Sequence, residues 1–312
     1  MRIVLLGGTG FLGTNLTIKL AEDLTNEIYV VGKDKTEFQD IAGFAFKNVF
    51  FIELELTADT DYNELLKGAD VVYHLLSSTV PTTSNQHIPE ELKCNVLLSA
   101  NLFEACVQQG VKKVVFLSSG GTVYGKEAKC PIKEETPTNP ITSYGLQKVT
   151  IEKLLYLYSY MYNLDYRIIR LANPYGPYQK VNGVLGAVTT FTYKALRGEV
   201  INVYGDGSVV RDFIYIDDAI RGILQIVNGE SSHRTYNLGC GYGTSIKSVL
   251  ETIENVLGLQ LNINYTEARS VDVPVNYLNI QRYEDAYDKL NPVSLENGIQ
   301  MTANFMRQYY HL

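Results

Sequence analysis

Short apolar segments alternate with amphipathic segments along the first half of the chain. Six runs rich in β-branched residues predict strands, at Ile3–Leu6, Ile28–Val31, Val49–Leu54, Val71–Leu75, Val114–Ser118 and Arg167–Leu171. Their apolar residues occupy both faces, which is typical of a buried parallel sheet. Helical periodicity fills the intervals, at Phe11–Glu22, Tyr62–Lys67, Glu90–Gln109 and Ser143–Tyr162. This order predicts an α/β fold with a doubly wound parallel sheet of the Rossmann type.

The pattern changes after residue 172. Turn-rich segments appear at Asn173–Pro177 and Tyr204–Ser208, and shorter helical patterns follow them. These helical patterns span Gly186–Leu196, Asp217–Val227, Ser245–Leu257 and Leu295–Tyr310. We therefore expect one domain over residues 1–172 and a smaller C-terminal α/β lobe over residues 173–312, with the chain free to cross back into the sheet.

Three glycines, Gly7, Gly10 and Gly13, mark the predicted turn from the first strand to the first helix. The first allows a tight turn, the second lets the backbone approach a pyrophosphate, and the third lets the helix pack on the strand. The helix N-terminus then offers unpaired N–H groups to the phosphates. We expect the first domain to bind a dinucleotide here, with Phe11 and Leu12 of the same turn beside it.

The end of the second predicted strand departs from the usual dinucleotide fingerprint. An Asp or Glu commonly stands there and binds the ribose hydroxyls, but this strand ends in Val31, Gly32, Lys33 and Asp34. Asp34 is close enough in sequence to reach the ribose, whereas Lys33 is suited to the 2′-phosphate of NADP. We expect NAD and keep NADP as the alternative.

Tyr144 and Lys148 are four residues apart in a predicted helix and therefore share one face. A free tyrosine ionises only near pH ~10, and a neighbouring ammonium favours the phenolate. Alone, such a pair is typical of a solvated helix face. Together with a dinucleotide site it indicates a proton-transfer pair that interconverts an alcohol and a ketone on a nicotinamide.

Composition narrows the class of protein. With 46% hydrophobic and 20% charged residues the chain is typical of a globular protein, and a net charge of −7 argues against a nucleic-acid partner. The cysteines lack CxxC spacing and the four histidines are dispersed, so we expect reduced thiols and no metal site. No apolar stretch is long enough to span a membrane, and we expect a cytoplasmic protein.

Several motifs follow one another along nearly the whole chain. They are Gly7–Gly13, Ser118–Gly125, Tyr144 with Lys148, Asn173–Pro177, Gly205–Gly207 leading to Arg211–Phe213, and Tyr236–Gly239. In this order they resemble the extended short-chain dehydrogenase/reductases, and within them the NAD-dependent nucleotide-sugar epimerase/dehydratase family, most closely its UDP-glucose 4-epimerases.

The resemblance implies roles at the matching positions. Tyr144 becomes the acid and base, and Lys148 holds the nicotinamide ribose and tunes Tyr144. Further implied cofactor contacts are Lys33, Asp34, Glu55, Leu56, Leu75, Asn95 and Ser118. Implied contacts to the sugar nucleotide are Thr79, Asn173, Arg211, Arg269, Asp272 and Asn276. The arginines suit a diphosphate, because a guanidinium offers phosphate oxygens several fixed donors.

One catalytic position departs from the family pattern. The family carries Ser or Thr four residues before the tyrosine of the Val-Tyr-Gly motif, where this chain has Gly120. The hydroxyl that bonds the substrate oxygen then has to come from Thr122 or Ser119, and we favour Thr122. The alternative is that no hydroxyl replaces it and Tyr144 works through water.

The resemblance implies epimerisation at carbon 4 of a nucleotide-diphosphate sugar through a transient 4-keto sugar. UDP-glucose and UDP-galactose, or their N-acetyl forms, are the expected substrates. Alternatives are an NAD(P)-dependent nucleotide-sugar reductase, a 4,6-dehydratase, and a non-catalytic protein that senses dinucleotides. Gly120, Gly121 and Thr122 replace the Thr-Asp-Glu of the dehydratases, which disfavours elimination of water, and Tyr144 with Lys148 disfavours a sensor.

Two further expectations concern the pocket and the assembly. Asn276 falls where some 4-epimerases carry a bulky aromatic residue, so a smaller side chain there predicts room for an N-acetyl group. The helices predicted at Glu90–Gln109 and Ser143–Tyr162 carry more apolar residues than one core-facing stripe needs. Paired across a two-fold axis they would form a four-helix interface, so we expect a homodimer, as the resemblance also implies.

Overall fold

A seven-stranded sheet forms the centre of the computed structural model, which describes residues 1–35, 38, 46–79, 84–181, 186–268 and 273–312. The strands of the described chain are Arg2–Leu6 (β1), Glu27–Gly32 (β2), Val49–Glu53 (β3), Val71–His74 (β4), Lys113–Ser119 (β5), Tyr166–Leu171 (β6), Asn173–Tyr175 (β7), Ile201–Tyr204 (β8), Val210–Arg211 (β9), Phe213–Tyr215 (β10), Thr235–Leu238 (β11), Thr244–Ser245 (β12), Ile263–Thr266 (β13) and Val275–Asn276 (β14). The sheet order is β11-β6-β5-β4-β1-β2-β3. Parallel pairings join β3, β2, β1, β4 and β5.

In the described part of the chain, helices follow β1, β3, β4 and β5 of this sheet, as expected of a doubly wound fold. The described helices are Phe11–Ala21 (α1), Asn63–Leu66 (α2), Ile88–Leu92 (α3), Leu98–Gln108 (α4), Ser143–Tyr162 (α5), Ala187–Arg197 (α6), Ile216–Asn228 (α7), Ile246–Leu257 (α8), Gln281–Ala286 (α9) and Leu295–Tyr309 (α10). Apolar residues of β1, β4, β5, α4 and α5 form one buried core, in which Val4, Val72, Leu102, Phe116 and Leu155 are fully enclosed.

The structure confirms the predicted α/β fold with a Rossmann sheet. Each of the six predicted strands is present to within one residue at either end. The predicted helices are also present to within one residue, apart from the segment Glu90–Gln109. The β-branched runs succeeded as predictors because most of these strands are buried on both faces, although β3, at the edge of the sheet, is half-buried to exposed.

The helical segment predicted over Glu90–Gln109 is present from Ile88 to Gln108, but it is not a regular α-helix throughout. The helix is interrupted by a π-helical turn, Lys93–Leu97, between α3 and α4. Such turns insert a residue and frequently occur at functional sites. Asn95 lies in this turn, and its carbonyl accepts the Ser99 hydroxyl at 2.5 Å. The extra residue cannot be predicted from apolar periodicity, because the turn is associated with side-chain hydrogen bonds and not with the apolar pattern.

The chain forms two compact units that are each discontinuous in sequence. The first holds residues 1–123, 138–169 and 230–235, and the second holds residues 124–137, 170–229 and 236–312. The second unit carries small sheets of its own, with orders β10-β7, β12-β9-β14 and β13-β8. Strand β11, late in the chain, is hydrogen-bonded to β6 at an edge of the large sheet.

A buried polar network within the second unit explains two of the sequence motifs. The Tyr124 hydroxyl donates to Asn237 Oδ1 at 2.6 Å and accepts from Arg170 at 2.9 Å. The Glu134 carboxylate accepts the backbone N–H of Asn237 at 2.9 Å, and the side-chain Nδ2 of Asn237 donates to the Ile132 carbonyl at 2.8 Å. The tyrosine of Val-Tyr-Gly and the asparagine of Tyr-Asn-Leu-Gly are therefore bonded to each other and stabilise this unit.

Two global properties bear on the class of protein. None of the helices in the described part of the chain combines the length and hydropathy that a membrane crossing requires. Within the same residues, His, Cys, Asp and Glu side chains do not assemble in threes at a spacing that would hold a metal ion.

Candidate active site

The glycine turn after β1 has the geometry that its motif predicts. Gly7 adopts φ +81°, a conformation that favours glycine. A Cβ on Gly13 would lie 2.5 Å from Gly8 Cα, so only glycine lets α1 approach the turn this closely. Helix α1 begins after Gly10 with no side-chain cap and no acidic residue in its first turn. Its N-terminus is therefore suited to a phosphate group.

The carboxyl ends of three neighbouring strands meet at this turn. Leu75 follows β4, its N–H donates to the Leu6 carbonyl at 3.1 Å, and its carbonyl carbon lies 3.4 Å from where a Gly7 Cβ would stand. Gly32 ends β2, and a Cβ there would lie 2.9 Å from the Thr9 methyl group. Thr9 occupies the space that an acid at position 32 needs, which explains the missing carboxylate.

The other predicted cofactor residues of this region are spread along the strand ends. Lys33 and Asp34 follow β2 and are exposed. Glu55 and Leu56 come after the end of β3, where Glu55 is exposed and Leu56 is half-buried. The structure brings Gly7, Gly32 and Leu75 together, whereas the roles of these four residues stay predictions.

Tyr144 and Lys148 lie in the first turns of α5, which begins where Thr142 accepts the Gly145 N–H at 3.1 Å. The Lys148 ammonium donates to the Leu117 carbonyl of β5 at 2.8 Å and lies 4.7 Å from the Phe116 ring centroid. The same nitrogen is 5.6 Å from the Tyr144 ring centroid. The helix therefore turns both side chains toward the end of β5, as the spacing predicts.

Burial, rather than Lys148, sets the direction of the Tyr144 pKa shift in this structure. Burial raises the pKa of Tyr144 to about 12, and a hydrogen bond with Ser119 opposes the shift. Burial also lowers the pKa of Lys148 to about 8, against the opposing charge of Glu152. The ammonium is directed at a backbone carbonyl rather than at the phenol, so desolvation decides both values.

Ser119 supplies the hydroxyl next to Tyr144, rather than the favoured Thr122. The Ser119 hydroxyl is close enough to the Tyr144 phenol to lower its pKa. Thr122 Oγ1 is buried and finds no hydrogen-bond partner among the described residues. Gly145 explains how α5 comes so close, because a Cβ there would lie 2.8 Å from the Thr122 carbonyl oxygen. The geometry thus favours Ser119 as the replacement for the hydroxyl that Gly120 cannot provide.

Two residues predicted to contact the cofactor have side chains that are hydrogen-bonded to other groups of the protein. Ser118 donates its hydroxyl to the buried Glu152 carboxylate at 2.5 Å. The Asn95 side chain accepts the Ser78 N–H at 2.9 Å and donates to the Ser78 hydroxyl, at 2.7 Å, and to the Glu91 carbonyl. In this structure these side chains hold secondary-structure elements together, and their roles as cofactor contacts stay predictions.

Two buried residues beside Tyr144 were missed by the sequence analysis. The Gln147 side chain bonds Asn95, Glu91 and Ser143, and the Glu91 carboxylate is 7% exposed. A glutamine inside the Tyr-x-x-x-Lys motif, four residues after a serine, is the signal that was available.

His74 ends β4 as a neutral structural residue. Its ring is 1% exposed and Nε2 lies 2.7 Å from the Ser99 hydroxyl. Burial lowers the pKa of His74 to about 3, and the neighbouring Lys148 lowers it further. The histidine is therefore uncharged and unsuited to exchange protons near neutral pH.

The second unit brings together two of the residues predicted to hold the sugar nucleotide. Arg211 of β9 pairs in register with Asn276 of β14, which is buried. Arg211 donates to the Val273 carbonyl at 2.6 Å, so its guanidinium is held at the start of this pair. Asn173 Nδ2 and its backbone N–H both donate to the Asp212 carbonyl at 2.9 Å.

The buried Asp212 carboxylate fixes this region of the second unit. It accepts the N–H groups of Cys240, Gly241 and Leu278 at 2.7, 3.3 and 3.2 Å. A Cβ on Gly239 would lie 2.4 Å from this carboxylate, which explains the last residue of the Tyr-Asn-Leu-Gly motif. Thr79 of the first unit is described, whereas the predicted Arg269 and Asp272 lie outside the described residues.

Comparison with known proteins identifies the family. Residues 3–239, about three quarters of the chain, match the NAD dependent epimerase/dehydratase family. This chain belongs to that family. The resemblance deduced from the ordered motifs is thereby confirmed.

Three solved structures illustrate the similarity within the epimerase/dehydratase family. UDP-glucose 4-epimerase from Thermotoga maritima, solved with UDP-glucose, is 30% identical with a TM-score of 0.88, over 99% of this chain and 100% of that one. UDP-N-acetylglucosamine 4-epimerase from Methanobrevibacter ruminantium, solved with UDP-N-acetylmuramic acid, is 27% identical with a TM-score of 0.89, over 98% of both chains. UDP-glucose 4-epimerase from Thermus thermophilus, solved with NAD, is 27% identical with a TM-score of 0.88, over 98% of this chain and 99% of that one.

The residues present in this epimerase/dehydratase family member fit NAD. The uncapped N-terminus of α1 and the close approach of Gly13 to Gly8 leave backbone N–H groups directed at a phosphate position. The strands that end there include β1 at the centre and β4 and β2 on either side of it, which is where doubly wound sheets bind their ligands.

Proposed function

We propose that this protein is an NAD-dependent 4-epimerase of UDP-sugars. The observation that carries the proposal is the arrangement at the end of β5, where Tyr144 lies beside Ser119 and Lys148 is bonded to the Leu117 carbonyl. It occurs in a chain of the epimerase/dehydratase family that matches 4-epimerases over nearly its whole length. NAD, when bound, supplies an acceptor that takes a hydride from carbon 4 of the sugar and returns it.

Tyr144 exchanges the proton of the sugar hydroxyl in this proposal. As the C4–H bond breaks, the oxygen on carbon 4 gives its proton to Tyr144, and the proton returns when the hydride returns to the opposite face. A pKa raised to about 12 keeps the phenol protonated at neutral pH, ready for the return step. The charged Lys148 and the Ser119 hydroxyl are the groups that stabilise the phenolate required in the forward step.

Ser119 takes the place of the family's usual hydroxyl in the proposal. Its place beside Tyr144 puts a second hydroxyl near the proposed position of the sugar oxygen. A donor held at such a position stabilises the charge that develops on oxygen in the transition state. The proposal gives Thr122 no part in the chemistry, because the hydroxyl beside Tyr144 is that of Ser119.

Residues of the second unit recognise the sugar nucleotide in the proposal. Arg211, fixed through the Val273 carbonyl, provides a guanidinium for the diphosphate, and Arg269 provides another. Asn173 and Asp272 are proposed further contacts, and the contact expected of Thr79, a residue of the first unit, stays a prediction. Asn276, next to Arg211 in the β9–β14 pair, leaves space for an N-acetyl group on the sugar. Hence both plain and N-acetylated UDP-sugars are expected substrates.

Incubation of the purified protein with UDP-galactose and, separately, with UDP-N-acetylgalactosamine tests the function. We expect each sugar to be converted into its 4-epimer, UDP-glucose or UDP-N-acetylglucosamine, with no net change in absorbance at the nicotinamide wavelength. Proton NMR of the mixture identifies the product. Consumption of one dinucleotide per turnover would indicate a reductase instead, and a 4-keto-6-deoxy sugar would indicate a dehydratase.

Substitution of Ser119 by Ala, compared with Thr122→Val, tests the assignment of the hydroxyl. We expect Ser119→Ala to lower kcat by about 10²-fold, the typical effect of removing one transition-state donor. Thr122→Val keeps the shape of the side chain and removes only a buried hydroxyl without a partner, so kcat should change by less than about threefold. The assignment is wrong if the two effects are reversed.

We also propose that the protein is a homodimer that pairs through α5. The C-terminal half of this helix exposes a cluster of large apolar side chains, among which Tyr160 is 77% and Tyr156 61% exposed. Leu146, Leu157, Met161 and Tyr162 of the same helix are also exposed. Contiguous apolar surface of this kind marks interaction sites, and an isologous pairing of two copies covers it.

Tyr160→Glu tests the dimer, because it places a charge in the middle of the proposed interface. We expect wild-type protein to sediment as a dimer at micromolar concentration and the variant to sediment as a monomer. Tyr265→Glu is the matched control, since Tyr265 is a 52% exposed tyrosine on β13. A wild type that sediments as a monomer would contradict the proposal, as would a Tyr160→Glu dimer.

A further inference from the structure

Gln147 lies at a node of buried hydrogen bonds beside the Tyr144–Lys148 pair. Its Oε1 accepts from Asn95 Nδ2 at 2.7 Å. Its Nε2 donates to Glu91 Oε2 at 3.1 Å and to the Ser143 hydroxyl at 2.9 Å. The side chain is 2% exposed, so these bonds are shielded from water. A glutamine fits here because the node needs a donor and an acceptor on one side chain.

The partners of Gln147 are themselves fixed. Asn95 sits in the π-helical turn and is bonded to Ser78 through both its amide oxygen and its amide nitrogen. The pKa of Glu91 is held below its ordinary value by a hydrogen bond from Ser143 and by backbone N–H groups at the start of α3, against the effect of burial. Glu91 is therefore an ionised acceptor, and the bond from Gln147 is charge-assisted.

The node and the catalytic pair occupy adjacent faces of one helix. Ser143 and Gln147 are four residues apart and face Glu91, whereas Tyr144 and Lys148 face the end of β5. Lys148 fixes one face against the sheet, and Gln147 fixes the next face against α3 and the π-helical turn. Together they prevent α5 from rotating about its own axis.

We propose that Gln147 is a positioning residue that sets the rotation of α5 and thereby holds the Tyr144 hydroxyl against Ser119. The expected effect on turnover rests on the proposed function. The inference itself gives a role to Gln147, which the proposed function does not use. A phenolic oxygen lies far from the helix axis, so a small rotation displaces it by a large fraction of a hydrogen-bond length. A displacement of about 1 Å is enough to lower turnover by about 10²-fold.

Gln147→Met tests the proposal, because methionine fills a similar volume and makes none of the node's bonds. We expect kcat to fall on the order of 10- to 100-fold while the affinity for UDP, measured by calorimetry, stays within threefold of wild type. The ring carbon signal of ¹³C-labelled Tyr144 should also shift. Gln281→Met is the matched control, since Gln281 is exposed and bonds only Asp285 through its side chain.

The tyrosine signal separates the two claims. If wild type does not epimerise UDP-sugars but Gln147→Met shifts the Tyr144 signal, the proposed function fails and the positioning role stands. The positioning role is overturned if the Tyr144 signal of Gln147→Met does not shift. It is also overturned if the wild type epimerises UDP-sugars and Gln147→Met has the same kcat.

A second pair of variants decides the matter if Gln147→Met does not fold. Gln147→Glu removes the donor and places a second carboxylate next to Glu91, so kcat should fall. Adding Glu91→Gln restores one amide and one carboxylate across the same contact, and kcat should recover by at least tenfold. Absence of recovery in a folded double variant would overturn the proposal.

Discussion

The bond from the Lys148 ammonium to the Leu117 carbonyl is the contact on which the rest of the site depends. It ties α5 to β5 in the buried interior, where a charged donor is directed at a backbone oxygen at 2.8 Å. Because Tyr144 precedes Lys148 by one helical turn, the same contact carries the phenol to Ser119 at the end of the strand. The site follows from one helix being fixed to one strand at one point.

The first six residues of α5 make different contacts on different faces of the helix. Gly145 has no side chain and lets the helix approach the backbone of Thr122. Ser143 and Gln147 bond α3 and the π-helical turn, and Tyr144 and Lys148 face the strand. Burial has an electrostatic consequence, since it raises the pKa of Tyr144 to about 12 and lowers that of Lys148 to about 8. With these pKa values, proton transfer by Tyr144 depends on the additional polar groups that a bound substrate and cofactor bring next to it.

The features that depend on the periodicity of apolar residues and on the order of the motifs could be predicted from the sequence. Strands buried on both faces, the glycine turn and the Tyr144–Lys148 face are readable from residue spacing alone, and the fold and family followed from them. The sequence did not predict which hydroxyl contacts Tyr144, because Ser119 and Thr122 differ only in how the turn after β5 directs them. Nor did it reveal the π-helical turn or the sign of the Tyr144 pKa shift, which depend on hydrogen bonds and burial set by distant segments.

The most direct measurement of the central claim is the turnover of Tyr144→Phe. This change removes one oxygen atom and leaves the Lys148 contact and the glycine turn in place, so NAD titration should give the same affinity as wild type. The account predicts that interconversion of UDP-galactose and UDP-glucose falls by at least about 10²-fold, the contribution typical of a positioned acid and base. A variant that binds NAD normally and epimerises at the wild-type rate would contradict it.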